Sequence, residues 1–219
     1  MTGRIITIAQ QKGGAGKTTL AAQLAVALLN TGASVATIDI DPQGSLSLWY
    51  AARMAALGNK NKLMHAQIQG WRLKKEAERA AEEHDYVIID APPHAESEAT
   101  IAIRTADLTL IPMQASPMDL WACRPTIKTA ADEGTPALIV LNRIDTRTKL
   151  NAAIMDKLTE LETNIAKSAL GNRVAFAASM MDGKGVVETD PASSAAVKEI
   201  TALVKELKKT GALKLQKAA

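Results

Sequence analysis

The sequence predicts an α/β fold, a mostly parallel twisted sheet of about seven strands with helices on both faces, in one domain over residues 1–219. Two observations carry this. Short, β-branched runs alternate with helix-compatible stretches, and those runs are continuously apolar, as strands buried on both faces require. Apolar residues make up 47% of the chain but aromatics only 3%, so the core must rest on Ala, Leu, Ile and Val. That mix suits a sheet covered by Ala-rich helices.

Six runs read as strands: Ile5–Ala9, Val35–Ile40, Tyr86–Asp90, Leu108–Met113, Leu138–Asn142 and Val174–Ala178, with a weaker seventh near Ala66–Ile68. Helices are expected over Lys17–Asn30, Ser45–Ala56, Arg72–Glu83, Met118–Ala131, Asn151–Ala169 and Ala195–Lys208. Asn59–Lys62 is a polar turn, and a flexible tail is expected from about residue 209. In such sheets ligands bind where strands stop, so chemistry is expected near Gln10, Asp39–Asp41, Asp90 and Asn142.

No apolar run approaches the roughly 18 residues that span a bilayer, and the N-terminus enters a strand at Arg4 without a signal-peptide layout, so a cytoplasmic protein is expected. Cys123 is the sole cysteine, which excludes an intrachain disulfide and leaves a bystander thiol. The net charge of +3 is uneven: residues 1–120 hold 11 Lys/Arg against 12 Asp/Glu, and residues 121–219 hold 15 against 11. A basic second half permits polyanion partners without establishing one.

Between the first strand and first helix stands Gln11-Lys12-Gly13-Gly14-Ala15-Gly16-Lys17-Thr18-Thr19. Glycines let the backbone aim several N–H groups inward, and the new helix offers its positive end to a phosphate. Lys17 would neutralise β- and γ-phosphates, and the Thr18 hydroxyl would ligate magnesium. An ordinary Walker loop wants glycine where Gln11 stands, and a second lysine, Lys12, appears near the start instead. In this the loop resembles the deviant Walker A P-loop NTPases of the ParA/MinD group. That resemblance implies a homodimer with ATP sandwiched between subunits, in which Lys12 reaches the phosphates of the other subunit. ATP/ADP and Mg2+ are the cofactors implied, with Gly13, Gly14, Ala15, Gly16, Lys17, Thr18 and Thr19 holding the nucleotide.

Asp39-Ile40-Asp41-Pro42-Gln43-Gly44 ends the second strand, and alternate strand residues share a face, so both carboxylates could face the loop. ParA-type ATPases carry Asp-x-Asp-Pro-Gln here. The resemblance makes Asp41 the group that orients the attacking water and Asp39 an organiser of the metal shell. Phosphoryl transfer needs positioning more than a strong base. Tyr86-Val87-Ile88-Ile89-Asp90 has the Walker B form, so Thr18, Asp39 and Asp90 are the metal candidates, direct or through water. His94 nearby reads as a loop histidine. Asn142 matches the family's adenine contact, its amide able to give and accept, although a capping Asn at a strand end fits as well. Ser179–Asp182 are expected to pass near the base.

The resemblance runs from Ile5 through Gly185-Val186-Val187-Glu188 to the closing helix and is tightest over residues 8–45. No room is left before the first strand for a helix-turn-helix domain, so the short, ParF-like ParA type is implied, which Pro112–Asp119 supports. It further implies a slow, partner-stimulated ATPase that binds non-specific DNA as an ATP dimer, associates with the nucleoid, and partitions or positions a plasmid, chromosome region or protein assembly. A separately encoded ParB-like partner or cargo adaptor would discharge it. Arg124, Lys128, Arg143, Arg147, Lys149, Lys198, Lys205 and Lys208 are candidate DNA contacts, each also readable as a solvated charge. Two alternatives stand. A MinD-like switch would use the stripe Val197, Ile200, Leu203, Val204 and Leu207 on a membrane, although the same stripe would serve to pack on the sheet, and no membrane partner is expected. A small-substrate P-loop enzyme, such as dethiobiotin synthetase or the nitrogenase iron protein, is the other, and one cysteine argues against the latter.

Overall fold

The computed structural model describes residues 2–93, 96–145, 154, 156–158, 161 and 163–210. Seven strands form one sheet: β1 (Arg4–Ile8), β2 (Val35–Asp39), β3 (Met64–Gln67), β4 (Tyr86–Asp90), β5 (Leu108–Met113), β6 (Ala137–Leu141) and β7 (Asn164–Ile165). All pairings are parallel, in the order β3-β2-β4-β1-β5-β6-β7. After β1 the chain builds outward on one side, then crosses back to β5 on the other. The crevice at that reversal, beyond the strand ends, is where such sheets take ligands.

Side-chain alternation along the strands sorts the core into two layers. Ile6, Ile8, Val35, Ile88, Leu108 and Leu110 meet α1 (Lys17–Leu29) and α2 (Ser45–Leu57), whereas Ile5, Ala36, Ile38, Val87 and Ile89 meet α3 (Leu73–Glu83) and α4 (Glu96–Thr105). Helix α5 (Pro117–Asp132) packs Leu120 and Cys123 against Ile111, Met113 and Ile139. Helix α1 is buried nearly all round, from Leu20 to Leu28, which is why its sequence lacks a polar face. The last helices, α6 (Val174–Met181), α7 (Val186–Thr189) and α8 (Ala195–Thr210), join the α1 layer. Arg53 of α2, 3% exposed, pairs in fork fashion with Glu188 of α7 at 2.8 Å and also donates to the Gly183 carbonyl and Asn61.

Three expectations need correction. Val174–Ala178 is helix, not strand: Phe176 and Ser179 are buried one turn apart while Val174 and Met181 are exposed, a helical period in an Ala/Met-rich run whose only β-branched residue is Val174. The seventh strand is instead Asn164–Ile165, inside the expected helix Asn151–Ala169, of which the described residues 154 and 156–158 are helical. Its backbone completes the β6 edge over two residues, too short for any periodicity to announce it. Helix α4 was not anticipated. The weak strand near Ala66–Ile68 is present as Met64–Gln67.

Candidate functional site

The residues after β1 turn tightly into α1, with Gly14 at φ +76° and Gly16 at φ +91°, conformations that side chains disfavour. At Gly16 space forbids a side chain too, since a Cβ there would lie 2.4 Å from Asn142 Nδ2. Asn142 braces the loop: Nδ2 donates to the Ala15 carbonyl at 2.9 Å and Oδ1 accepts from the Arg143 N–H. Arg143, itself at φ +53°, donates with Gln114 to the Gly14 carbonyl, each at 3.3 Å. The bracing role for Asn142 was missed in sequence, where its strand-end position suggested only a base contact or a cap.

Lys17 opens α1 and is buried, and burial lowers its pKa against the pull of Asp90 and then Asp41. The Thr18 hydroxyl donates to Asp90 Oδ2 at 2.6 Å, and Asp90 Oδ1 is buried with no hydrogen-bond partner among the described residues. Burial pushes the Asp90 carboxyl up to about 7, against the Thr18 hydrogen bond. No group of three or more His, Cys, Asp or Glu side chains gathers as a metal cage among the described residues. Magnesium does not need one, because it keeps waters and binds through one or two protein oxygens plus substrate phosphates. Thr18 with the unpartnered Asp90 oxygen fits that requirement.

Asp39 is fully buried, and both its oxygens take hydrogen bonds from the protein. Oδ1 accepts from the Asp41 N–H at 3.0 Å, and Oδ2 from the Ser47 N–H and hydroxyl at 2.9 and 2.8 Å. The cause lies in α2: its N-cap is Gly44, which has no side chain, so a first-turn N–H is satisfied by a carboxylate from the strand. Asp39 thereby ties β2, the Asp41 loop and α2 together. Asp41 Oδ1 accepts from the Gln43 N–H and the residue stays partly open to solvent.

Lys12, at the start of the loop, is tied to α5. Its Nζ pairs at 2.6 Å with Asp119, a buried carboxylate in the first turn of α5 that also accepts from the Ser116 hydroxyl. Asp119 was not singled out from sequence; its place in the Pro112–Asp119 segment was the available signal.

A pocket of about 300 Å3 beside the loop is lined by Thr19, Asn142, Arg143, Asn172, Arg173 and Phe176 among others. Ser179 sits just behind this lining, accepting at 2.8 Å from Gln23, which does line the pocket, and Ser179–Asp182 end α6 instead of following a strand. A groove of about 700 Å3 opens beside Asp41 between Gln67–Trp71 and Glu98, which the sequence did not announce. Cys123 is buried, its thiol pushed up to about 11 by burial, as befits a bystander. The closing-helix stripe Val197, Ile200, Leu203, Val204 and Leu207 is buried in the core.

Among the described residues the candidate DNA contacts do not form one patch on the protomer. Arg124 and Lys128 sit on α5, the latter paired with Asp132, while Lys198, Lys205 and Lys208 sit on α8 in the opposite layer, with Arg143 at the loop. His94, Arg147 and Lys149 lie outside the described residues. No helix among the described residues is long and apolar enough to cross a membrane.

A model of the CobQ/CobB/MinD/ParA nucleotide binding domain matches residues 6–187. The maintenance of carboxysome distribution protein A of Gloeobacter kilaueensis is 35% identical over 164 residues, covering 74% of this chain and 73% of the relative. Its namesake from Halothiobacillus neapolitanus is 26% identical over 212 residues, covering 92% and 95%. Among solved structures, the septum site-determining protein MinD of Pyrococcus horikoshii with Mg-ADP superposes with a TM-score of 0.78 at 21% identity, over 96% of this chain and 98% of that one.

Proposed function

Because the chain belongs to the CobQ/CobB/MinD/ParA nucleotide-binding family, we propose that it is a magnesium-dependent ATPase switch that dimerises around ATP, binds DNA without sequence preference and positions a cargo. The observation that carries this is the meeting of the Gly13–Thr19 loop, Asp41 and Asp90 at one end of the sheet, with Lys12 held in the same loop but tied to α5. ATP supplies the electrophilic γ-phosphorus, and Mg2+ offsets charge on its oxygens. Lys17 and the loop N–H groups would bind the phosphates, Thr18 and Asp90 would hold the metal shell, and Asp41, partly open to solvent, would orient the attacking water. Asp39 acts one step back, fixing the Asp41 backbone. Lys12 must leave Asp119 to reach a second protomer's nucleotide.

The cargo class is suggested by the relatives named for carboxysome distribution: a protein assembly, discharged by an adaptor encoded elsewhere. Burial of the α8 stripe favours DNA over membrane as the surface. The test is binding of the Asp41→Ala protein to non-specific duplex DNA and to acidic liposomes, with ATP or ADP, across a salt series. ATP-dependent, salt-sensitive DNA binding is expected. Liposome binding alone would replace this function with a membrane switch. Binding to neither would favour a small-substrate enzyme, for which the groove beside Asp41 offers room.

A further inference from the structure

His65 lies on β3 opposite Thr37 of β2, and its ring is held on three sides. Tyr50 stacks on it at 4.7 Å between centroids, Nδ1 is 3.0 Å from the Thr37 hydroxyl, and Nε2 is 3.0 Å from the Ser47 hydroxyl. The proton count fixes the direction of these bonds. Ser47 has one hydroxyl hydrogen, and it goes to Asp39 Oδ2 at 2.8 Å, so towards His65 the Ser47 oxygen can only accept. Nε2 therefore carries a hydrogen. The Thr37 hydroxyl then donates to a bare Nδ1, or turns to the Met64 carbonyl, 3.1 Å away, if Nδ1 is protonated. Burial lowers the imidazole pKa although Asp39 opposes it, which favours the neutral ring donating from Nε2.

From Nε2 the hydrogen bonds run without a break to the Asp41 loop: His65 to Ser47, Ser47 to Asp39, and the Asp41 N–H back onto Asp39 at 3.0 Å. We propose that His65 is a positioning residue for Asp41, holding the Ser47–Asp39 clamp from the edge strand so that the water-orienting carboxylate keeps its place. The tie to catalysis rests on the role given to Asp41 under the proposed function. Stacking on Tyr50 needs only an aromatic ring, so the two nitrogens are what a phenylalanine at this position would lack.

The experiment compares His65→Phe, which keeps the stack and loses both nitrogens, with His65→Gln, whose amide N–H can again reach Ser47. Amide hydrogen exchange at Asp41 and Ser47 is read by NMR, alongside ATP affinity and single-turnover hydrolysis. In His65→Phe, exchange at those two amides should rise about tenfold and turnover fall about tenfold, with ATP affinity kept within about threefold and His65→Gln restoring both. Unchanged exchange at Asp41 and Ser47 would overturn the proposal whatever the turnover. So would exchange that rises evenly through β2, β3 and α2, which marks loss of fold. If the parent protein itself binds ATP without hydrolysing it, the ATPase assignment fails, and the exchange data still decide whether His65 holds the loop.

Discussion

Replacing Asp90 by asparagine removes a charge that its surroundings oppose while leaving an oxygen to accept from Thr18. In the folded protein the Asp90 carboxyl is raised from 3.8 to about 7, with burial the largest cause. Between those values the unfolded chain releases the proton and the folded one keeps it. The native state then binds more protons, so the stability this group confers is fully present below 3.8 and is lost as pH rises through about 7. At about 1.36 kcal/mol per unit, the cost carried by Asp90 grows by roughly 3 kcal/mol between pH 5 and pH 8. The asparagine variant carries no such cost. Its advantage over the parent, without nucleotide, should widen by about 3 kcal/mol over that range, or roughly 6 to 12 °C in Tm for a chain of this size. Urea and thermal unfolding at the two pH values measure it, with magnesium-dependent ATP affinity, which should fall in the same variant, as the second readout. A gap that stays constant between pH 5 and pH 8 would refute the reasoning, because Asp90 would then titrate alike in both states.

Three further outcomes are expected. Lys17→Ala should abolish ATP binding, whereas Lys12→Ala should keep it and lose ATP-dependent dimerisation; sedimentation with a titrated fluorescent ATP analogue separates the two, and an unchanged dimer in Lys12→Ala would remove the intersubunit role. Gly16→Ala combines φ +91° with a Cβ 2.4 Å from Asn142 Nδ2, so it should cost about 2 kcal/mol or more in urea unfolding and displace the loop enough to lose nucleotide. Arg53→Ala takes the charge partner from Glu188, which keeps only the Gly185 N–H, and the donor from the Gly183 carbonyl, and should destabilise by about 3 kcal/mol while ATP affinity per folded molecule stays the same.

The phosphate loop, both carboxylate-ended strands and the helix that follows the loop were legible because each is written in consecutive residues: glycines before Lys17, four apolar residues before Asp90. What the sequence hid was set by contacts far apart in the chain. Asp39 reads as an organiser of the metal shell, and its tie to Ser47, drawn because Gly44 cannot cap α2, is not written beside it in the chain. Asn142 reads as a base contact or a cap, and nothing near it in sequence tells that its amide also holds the Ala15 carbonyl of the loop. Val174–Ala178 is apolar enough for a strand, and only its burial one turn apart reveals the helix. The basic residues of the second half read as one charge excess, yet the sheet separates those of α5 from those of α8.

The level ends of three neighbouring strands have a bearing on how the chain is made as well as on what it does. Asp90 stands in register with Ile8 on one side and Asp39 on the other. A one-residue slip of β4 would turn Asp90 into the opposite layer and carry an apolar side chain to the magnesium position. Such a misfolded chain could not hold nucleotide. A ligand that binds only the correctly paired sheet would favour it by about 2.7 kcal/mol when present at a hundred times its Kd. Nucleotide would then guard the register of the sheet as well as fill the site.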